Sequence, residues 1–111
     1  MAYSGAMVII ETPVFTRQVQ ALLPDEDYHL LQQALVARPE AGQLIPGTHG
    51  LRKLRWGLAD CGKRGGARII YYWDAPADRI YMLFAYRKSV QEDLTPAQVK
   101  MLGVLVKEWL R

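Results

Sequence analysis

The sequence has few residues that can hold a metal ion or cross-link the chain. Its 111 residues include one cysteine, Cys61, and two histidines, His29 and His49, which lie far apart. A single cysteine excludes both an intrachain disulfide and a cysteine-rich zinc site. We therefore expect no metal and no other cofactor in this protein.

Long apolar runs are missing as well. No run approaches the ~18 residues that a membrane-spanning helix requires. The first seven residues also lack the charged and apolar regions of a signal peptide. The sequence therefore predicts a cytoplasmic protein without a membrane partner. We expect residues 1–6 to be an N-terminal extension, native or added by cloning, and residues 7–111 to form a single domain.

The positive charge is unevenly distributed along the chain. The net charge is +3, but residues 1–50 carry −3 and residues 51–70 carry +5. A concentrated basic segment is typical of a site for a polyanion such as RNA. The alternative is a solvated strand edge, because lysines at sheet edges also prevent aggregation. Charge by itself does not separate the two interpretations.

Capping residues and apolar spacing indicate three helices. Thr12 and Thr95 are of the N-cap type, and each is followed by a proline, which suits the first helical position. Another helix begins after Pro24 and ends at Arg38, because the residue before a proline avoids the helical conformation. Two of the predicted helices therefore precede the basic segment and one follows it.

Apolar and β-branched runs separated by turn residues indicate the strands. One strand precedes the helices and three follow a loop over Glu40–Gly50; in chain order they are Met7–Glu11, Leu51–Gly57, Ala67–Asp74 and Arg79–Tyr86. The predicted fold class is α+β. It consists of a small, mainly antiparallel, twisted sheet of about four strands with the helices packed on one face.

Strand alternation sorts the basic residues by face. If the helices cover the opposite face, Lys53, Arg55, Arg68 and Tyr72 share an open one. Cations and an aromatic ring on an open sheet face can bind an RNA backbone and stack a base. The alternative for Tyr72 is packing within the sheet.

A second basic feature is the glycine-rich segment Cys61–Gly66, which we predict to be a loop. Its Lys63 and Arg64 lie among glycines, so that cations and backbone N–H groups can approach phosphates closely. It lacks the spacing of a Walker A motif. The alternative is an exposed hairpin loop without a ligand.

Three stretches occur in a characteristic order: Gly50–Arg55 (GLRKLR), Gly62–Tyr72 (GKRGGARIIYY), and Tyr86–Lys88 ahead of Asp93-Leu94. Together they resemble the RelE superfamily of toxins, most closely its HigB-type branch, over roughly residues 7–110. The resemblance implies a RelE-like fold and a bacterial type II toxin that cuts mRNA in the ribosomal A site. It also implies a co-encoded, HigA-like antitoxin with a helix-turn-helix DNA-binding domain.

The resemblance suggests a division of roles among the cations. RNA cleavage by 2′-OH attack needs a base, positive charge on the phosphate and an acid for the leaving oxygen, and it needs no metal. Lys53 is the candidate base, since neighbouring cations favour its neutral form. Arg68 matches the family's sheet arginine, the candidate transition-state stabiliser. Lys88 matches the basic residue after the last strand and can supply charge or a proton.

The remaining candidates have weaker support from the sequence. Some family members carry a catalytic tyrosine downstream of the last strand, but Gln91–Leu94 contains none, which leaves Tyr86 as a weak substitute. The general acid and base therefore stay unassigned. The other predicted RNA contacts are Arg55, Lys63, Arg64, Tyr72 and Arg87. Three tryptophans are predicted to be core residues: Trp56, Trp73 and Trp109.

Two alternative functions remain open at the level of the sequence. The same superfamily contains ParE-like gyrase poisons, which use the fold without cutting RNA. The cation-rich sheet face and Lys88 favour the nuclease over the gyrase poison. A non-catalytic RNA- or ribosome-binding module is the third possibility.

Overall fold

The described part of the chain forms one five-stranded sheet with three helices. The computed structural model describes residues 7–59 and 62–109, without the side chains of residues 63–65 and 109. Its elements in chain order are β1 (Val8–Glu11), α1 (Pro13–Leu22), α2 (Asp25–Ala37), β2 (Gln43–Leu44), β3 (Leu51–Leu58), β4 (Gly62–Asp74), β5 (Arg79–Arg87) and α3 (Pro96–Trp109). This description does not include the predicted extension over residues 1–6. It also does not include Cys61 or the Trp109 side chain.

The sheet confirms the predicted α+β class and adds one strand. The strand order is β1-β5-β4-β3-β2, with β1 parallel to β5 and the other pairs antiparallel. The additional strand, β2, has two residues and lies inside the predicted loop over Glu40–Gly50. It is held by tertiary contacts, since Arg52 Nη1 donates to Gly42 O at 2.8 Å and Gly42 N donates to the Tyr71 hydroxyl at 2.8 Å.

The predicted helix starts are confirmed. The Thr12 side chain accepts a hydrogen bond from Phe15 N at 3.0 Å. At α3, Gln98 N donates to Thr95 Oγ1 at 3.1 Å, and Thr95 N donates to Gln98 Oε1 at 2.9 Å. This reciprocal pair is a capping box. No helix in the described part of the chain is long and apolar enough to cross a membrane.

The helices pack on both faces of the sheet, so the expectation of one covered face is wrong. The first core cluster lies between α1, α2 and the sheet face that carries Ile69 and Tyr71, and Trp56 and Trp73 pack against it. The second cluster joins the opposite face to the apolar side of α3; it contains Leu51, Ile70, Tyr72, Leu83, Tyr86, Leu102 and Val106. The central strand β4 is apolar on both faces, which requires cover on both.

A β-bulge in β5 changes which residues face α3. Across β4 and β5, Ile70 pairs with Phe84 whereas the next residue, Tyr71, pairs with Met82. The extra residue is Leu83, and both Leu83 and Phe84 face the second cluster. After the bulge, each side chain of β5 points to the sheet face opposite to the one that uninterrupted alternation would give. Tyr86 consequently faces the same side as Arg68, its cross-strand partner.

The predicted glycine-rich loop is mostly strand. β3 continues to Leu58 and β4 begins at Gly62, so that residues 62–66 belong to β4. A Cβ atom on Gly66 would lie 2.3 Å from Gly62 O and 2.4 Å from Trp56 O. Glycine at this position therefore permits close approach of two backbones at an irregular strand pairing. The prediction of a loop over Cys61–Gly66 is therefore wrong for residues 62–66.

Candidate functional site

A cationic cleft lies where β3, β4 and the segment after β5 meet. Its volume is about 300 Å³, and it is lined by Lys53, Arg55, Arg68, Lys88, Glu92 and Asp93. The structure thus brings together four of the basic residues that the sequence suggested. Because four cations face two carboxylates, the cleft suits a phosphodiester anion.

Arg68 lies at the centre of a row of side chains across three strands. It pairs with Arg55 on β3 and with Tyr86 on β5. Although the sequence placed it on an open face, Arg68 is only 4% exposed. Its Nη1 atom donates to Ala67 O at 3.2 Å. The second cluster, which includes Tyr86, lies on the same sheet face, and the low exposure restricts the movement of the guanidinium.

Lys53 and Asp93 form an ion pair along one side of the cleft. Lys53 Nζ lies 3.2 Å from Asp93 Oδ1. The same carboxylate oxygen accepts a hydrogen bond from Leu94 N at 2.8 Å. The Leu94 N–H group and then Lys53 lower the pKa of Asp93, so that its carboxylate is charged at neutral pH. The pair ties the end of the β5–α3 connection to the middle of β3.

Tyr86 is a buried side chain that contacts the cleft residue Asp93 without lining the cleft itself. Its side chain is 6% exposed, and its hydroxyl lies 3.5 Å from Asp93 Oδ1. Burial, followed by the negative charge of Asp93, raises the pKa of Tyr86 to about 12, against the opposing effect of Arg68. The hydroxyl therefore keeps its proton at neutral pH, where it can donate a hydrogen bond or a proton but cannot act as a base.

Several other candidates lie away from the cleft. Tyr72 is 8% exposed within the second cluster and offers no open ring face. It therefore packs within the sheet, which was the alternative interpretation of this residue. Arg87 pairs with Ala67, a member of the first cluster, and so lies on the opposite sheet face. The side chains of Lys63 and Arg64 lie outside the described residues. The two histidines are exposed and do not line the cleft.

Sequence reasoning did not select the two carboxylates of the cleft, Glu92 and Asp93. Asp93 formed part of the quoted resemblance, but only as a flanking residue. The available signal was an acidic pair shortly after the basic residues that end β5. An acidic pair by itself does not indicate a site. Only the fold shows that the chain at Glu92 and Asp93 turns back towards Lys53.

The comparisons with known proteins bear on the fold. No protein-family model matches the sequence. Among solved structures, the chain is similar to the toxin RelE of E. coli, solved in the free state as a mutant with two arginine-to-alanine substitutions. The TM-score is 0.56 with 17% sequence identity, over 94% of this chain and 96% of that one.

The protein has a RelE-like fold. The match extends over nearly the whole of both chains. At this level of identity the similarity concerns architecture, and the chemistry has to be argued from the side chains. In this RelE-like chain those side chains are the ones that line the cationic cleft.

Proposed function

We propose that this RelE-like protein is the toxin of a type II toxin–antitoxin system, of the HigB type, and that it cuts mRNA on the ribosome in the cytoplasm. The observation that carries the proposal is the convergence of Lys53, Arg55, Arg68 and Lys88 in one cleft. The position of the cleft on a fold shared with a known toxin supports the same conclusion.

The proposed reaction is attack of the 2′-OH on the adjacent phosphodiester. Charge accumulates on the phosphate oxygens in the transition state, and preorganised cations stabilise it there. Arg68 fits this role because it is buried and held on a central strand. A planar guanidinium can donate two parallel hydrogen bonds to a phosphate.

Proton transfer is assigned to groups at the edges of the cleft. Lys53 in its neutral form is the proposed base for the 2′-OH proton, and its contact with Asp93 Oδ1 at 3.2 Å holds Nζ at the edge of the cleft. Lys88 supplies charge or a proton to the leaving 5′-oxygen. Tyr86 keeps its proton at neutral pH and is a second possible donor.

The decisive experiment adds the purified protein to translating ribosomes and maps new 5′ ends on the mRNA. We expect cleavage within codons in the A site and none in the same mRNA without ribosomes. Gyrase complexes arrested on DNA, tested in parallel, would instead indicate a ParE-like poison. Ribosome binding without new mRNA ends would indicate a non-catalytic module.

A further inference from the structure

A second cleft borders the cationic cleft. It has a volume of about 260 Å³ and lies between β2, the turn that follows it and the start of α3. Its lining residues are Gln43, Leu44, Ile45, Pro46, Lys53, Asp93, Leu94 and Val99. Lys53 and Asp93 line both clefts. Their ion pair is therefore the boundary between the two sites, and a ligand in one is adjacent to a ligand in the other.

The chemistry of the second cleft differs from that of the first. Five of its eight lining residues are apolar, and the polar side chains are the Gln43 amide and the Lys53–Asp93 pair. Small-molecule sites typically combine apolar walls with a few polar groups that fix orientation. The volume lies just below the range of about 300–1,000 Å³ for drug-sized ligands. A single planar heterocycle suits this size better than a larger ligand does.

Both walls of the second cleft are held in place before any ligand arrives. On the β2 side, Ile45 N donates to Leu51 O at 2.8 Å, and Thr48 Oγ1 donates to Ile45 O at 2.6 Å. On the α3 side, the capping box fixes the first turn, and Gln91 Nε2 donates to Asp93 O at 2.9 Å. A preformed pocket loses little conformational entropy on binding.

We propose that the second cleft binds the nucleobase next to the phosphate that is cut, and that Gln43 reads the edge of that base. This inference rests on the proposed function. Gln43 is the cross-strand partner of Lys53, so its position is fixed relative to the cationic cleft. Its amide carries a donor and an acceptor, which can pair with complementary groups on a base.

A nucleobase fits these observations better than a protein side chain does. In single-stranded RNA each base is attached through its sugar to a phosphate, which matches an apolar pocket beside a cationic one. A protein ligand would need an apolar side chain next to an acidic one to occupy both clefts.

The first experiment compares cleavage maps of Gln43→Ala, Gln43→Glu and the parent on translating ribosomes. We expect Gln43→Ala to lose about 10-fold in discrimination at one nucleotide beside the cleaved bond, the effect of losing one good base contact. Gln43→Glu removes the donor and should change which base is preferred. Gln20→Ala, an exposed glutamine on α1, is the matched control and should leave the map unchanged. Identical relative site usage in all four proteins would overturn the inference.

The second experiment separates this inference from the proposed function. Arg68→Ala protein is titrated separately with each nucleoside 3′-monophosphate, with ribose 5-phosphate and with the proposed co-encoded partner protein, while backbone amide shifts are recorded by NMR. We expect the nucleotides to change the amide chemical shifts of residues that line the second cleft, namely Leu44, Ile45, Leu94 and Val99. Ribose 5-phosphate should leave these shifts unchanged. Shifts caused by a partner protein but by no nucleotide would overturn the inference. If the parent fails to cut mRNA but nucleotides still shift these amides, the proposed function fails and the base site stands.

Discussion

Among single residues, Arg68 is the one on which the proposed chemistry depends most. A guanidinium that is 4% exposed has lost most of its hydration and needs other polar partners. Its neighbours across the sheet are Arg55 and Tyr86, which place positive charge and a proton donor beside it. Positive charge is therefore concentrated around a cation that the sheet holds in a fixed position.

Replacement of Arg68 by alanine should abolish toxicity. We expect mRNA cleavage to fall by at least ~10²-fold, the scale of removing one preorganised transition-state donor. Arg68→Lys keeps the charge but loses the planar, two-pronged geometry and should restore only part of the activity. Cleavage on ribosomes and a thermal melt are measured together. The control is Arg17→Ala, an exposed arginine on α1. A folded Arg68→Ala protein that cuts like the parent would refute the assignment.

The raised pKa of Tyr86 predicts that the stability of the protein depends on pH. Its pKa is raised from 10.0 to about 12 in the folded protein. The folded state therefore binds more protons than the unfolded state between these values, and stability falls as pH rises through this interval. Tyr86→Phe lacks the titrating hydroxyl. Its free energy of unfolding, measured with urea from pH 9 to pH 12, should decline less steeply than that of the parent. Parallel curves would contradict the raised pKa.

At the scale of elements, two irregularities in strand pairing shape the site. The bulge at Leu83 directs Tyr86 towards Arg68 and sends Arg87 to the other face. A second irregularity lies between Trp56 and Leu58, opposite the start of β4. It brings backbone carbonyl groups close to Gly66, whose own carbonyl accepts from Lys88 N at 2.9 Å. The position of Lys88 thus depends on this irregular pairing.

A pair of glycine substitutions tests this account of the strands. Gly66→Ala places a Cβ atom against two backbone oxygens at 2.3 and 2.4 Å, so we expect a loss of at least ~1–3 kcal/mol in stability from overpacking. Gly103→Ala in α3 meets its nearest atom at 3.7 Å, an ordinary contact. It should gain roughly 0.5–1 kcal/mol from helix propensity. Urea denaturation measures both. Equal effects of the two substitutions would contradict the close approach at Gly66.

At the scale of the whole molecule, the proposed function predicts a protein partner, and charge and apolar exposure describe the surface that it would bind. The segment over residues 51–70 carries +5, which favours an acidic segment in that partner. Helix α3 also leaves Met101 and Val104 more than half exposed. Exposed ion pairs contribute little in salt, so buried apolar anchors should supply a substantial part of the affinity.

We expect the protein to be toxic when it is expressed alone in bacteria, and co-expression of the neighbouring gene to restore growth. The complex should persist at high salt and bury at least ~1,000 Å², the usual minimum for a specific interface. Growth curves and gel filtration in 1 M salt are the measurements, with Arg68→Ala as the version that can be produced alone. High-yield expression of the parent without a growth defect would contradict the toxin proposal.

Local chemistry in the sequence determined the helix starts, most of each of the three long strands and the common face of Lys53, Arg55 and Arg68. Caps and strand alternation depend on residues a few positions apart, which a single sequence contains. Only the tertiary structure decided that α3 covers part of that face, that Tyr86 and not Arg87 turns towards the cleft, and that Asp93 pairs with Lys53. All three features depend on contacts between residues that are distant in the chain. The orientation of Tyr86 also depends on one bulge, because an extra residue reverses which side chains of a strand face each side of the sheet.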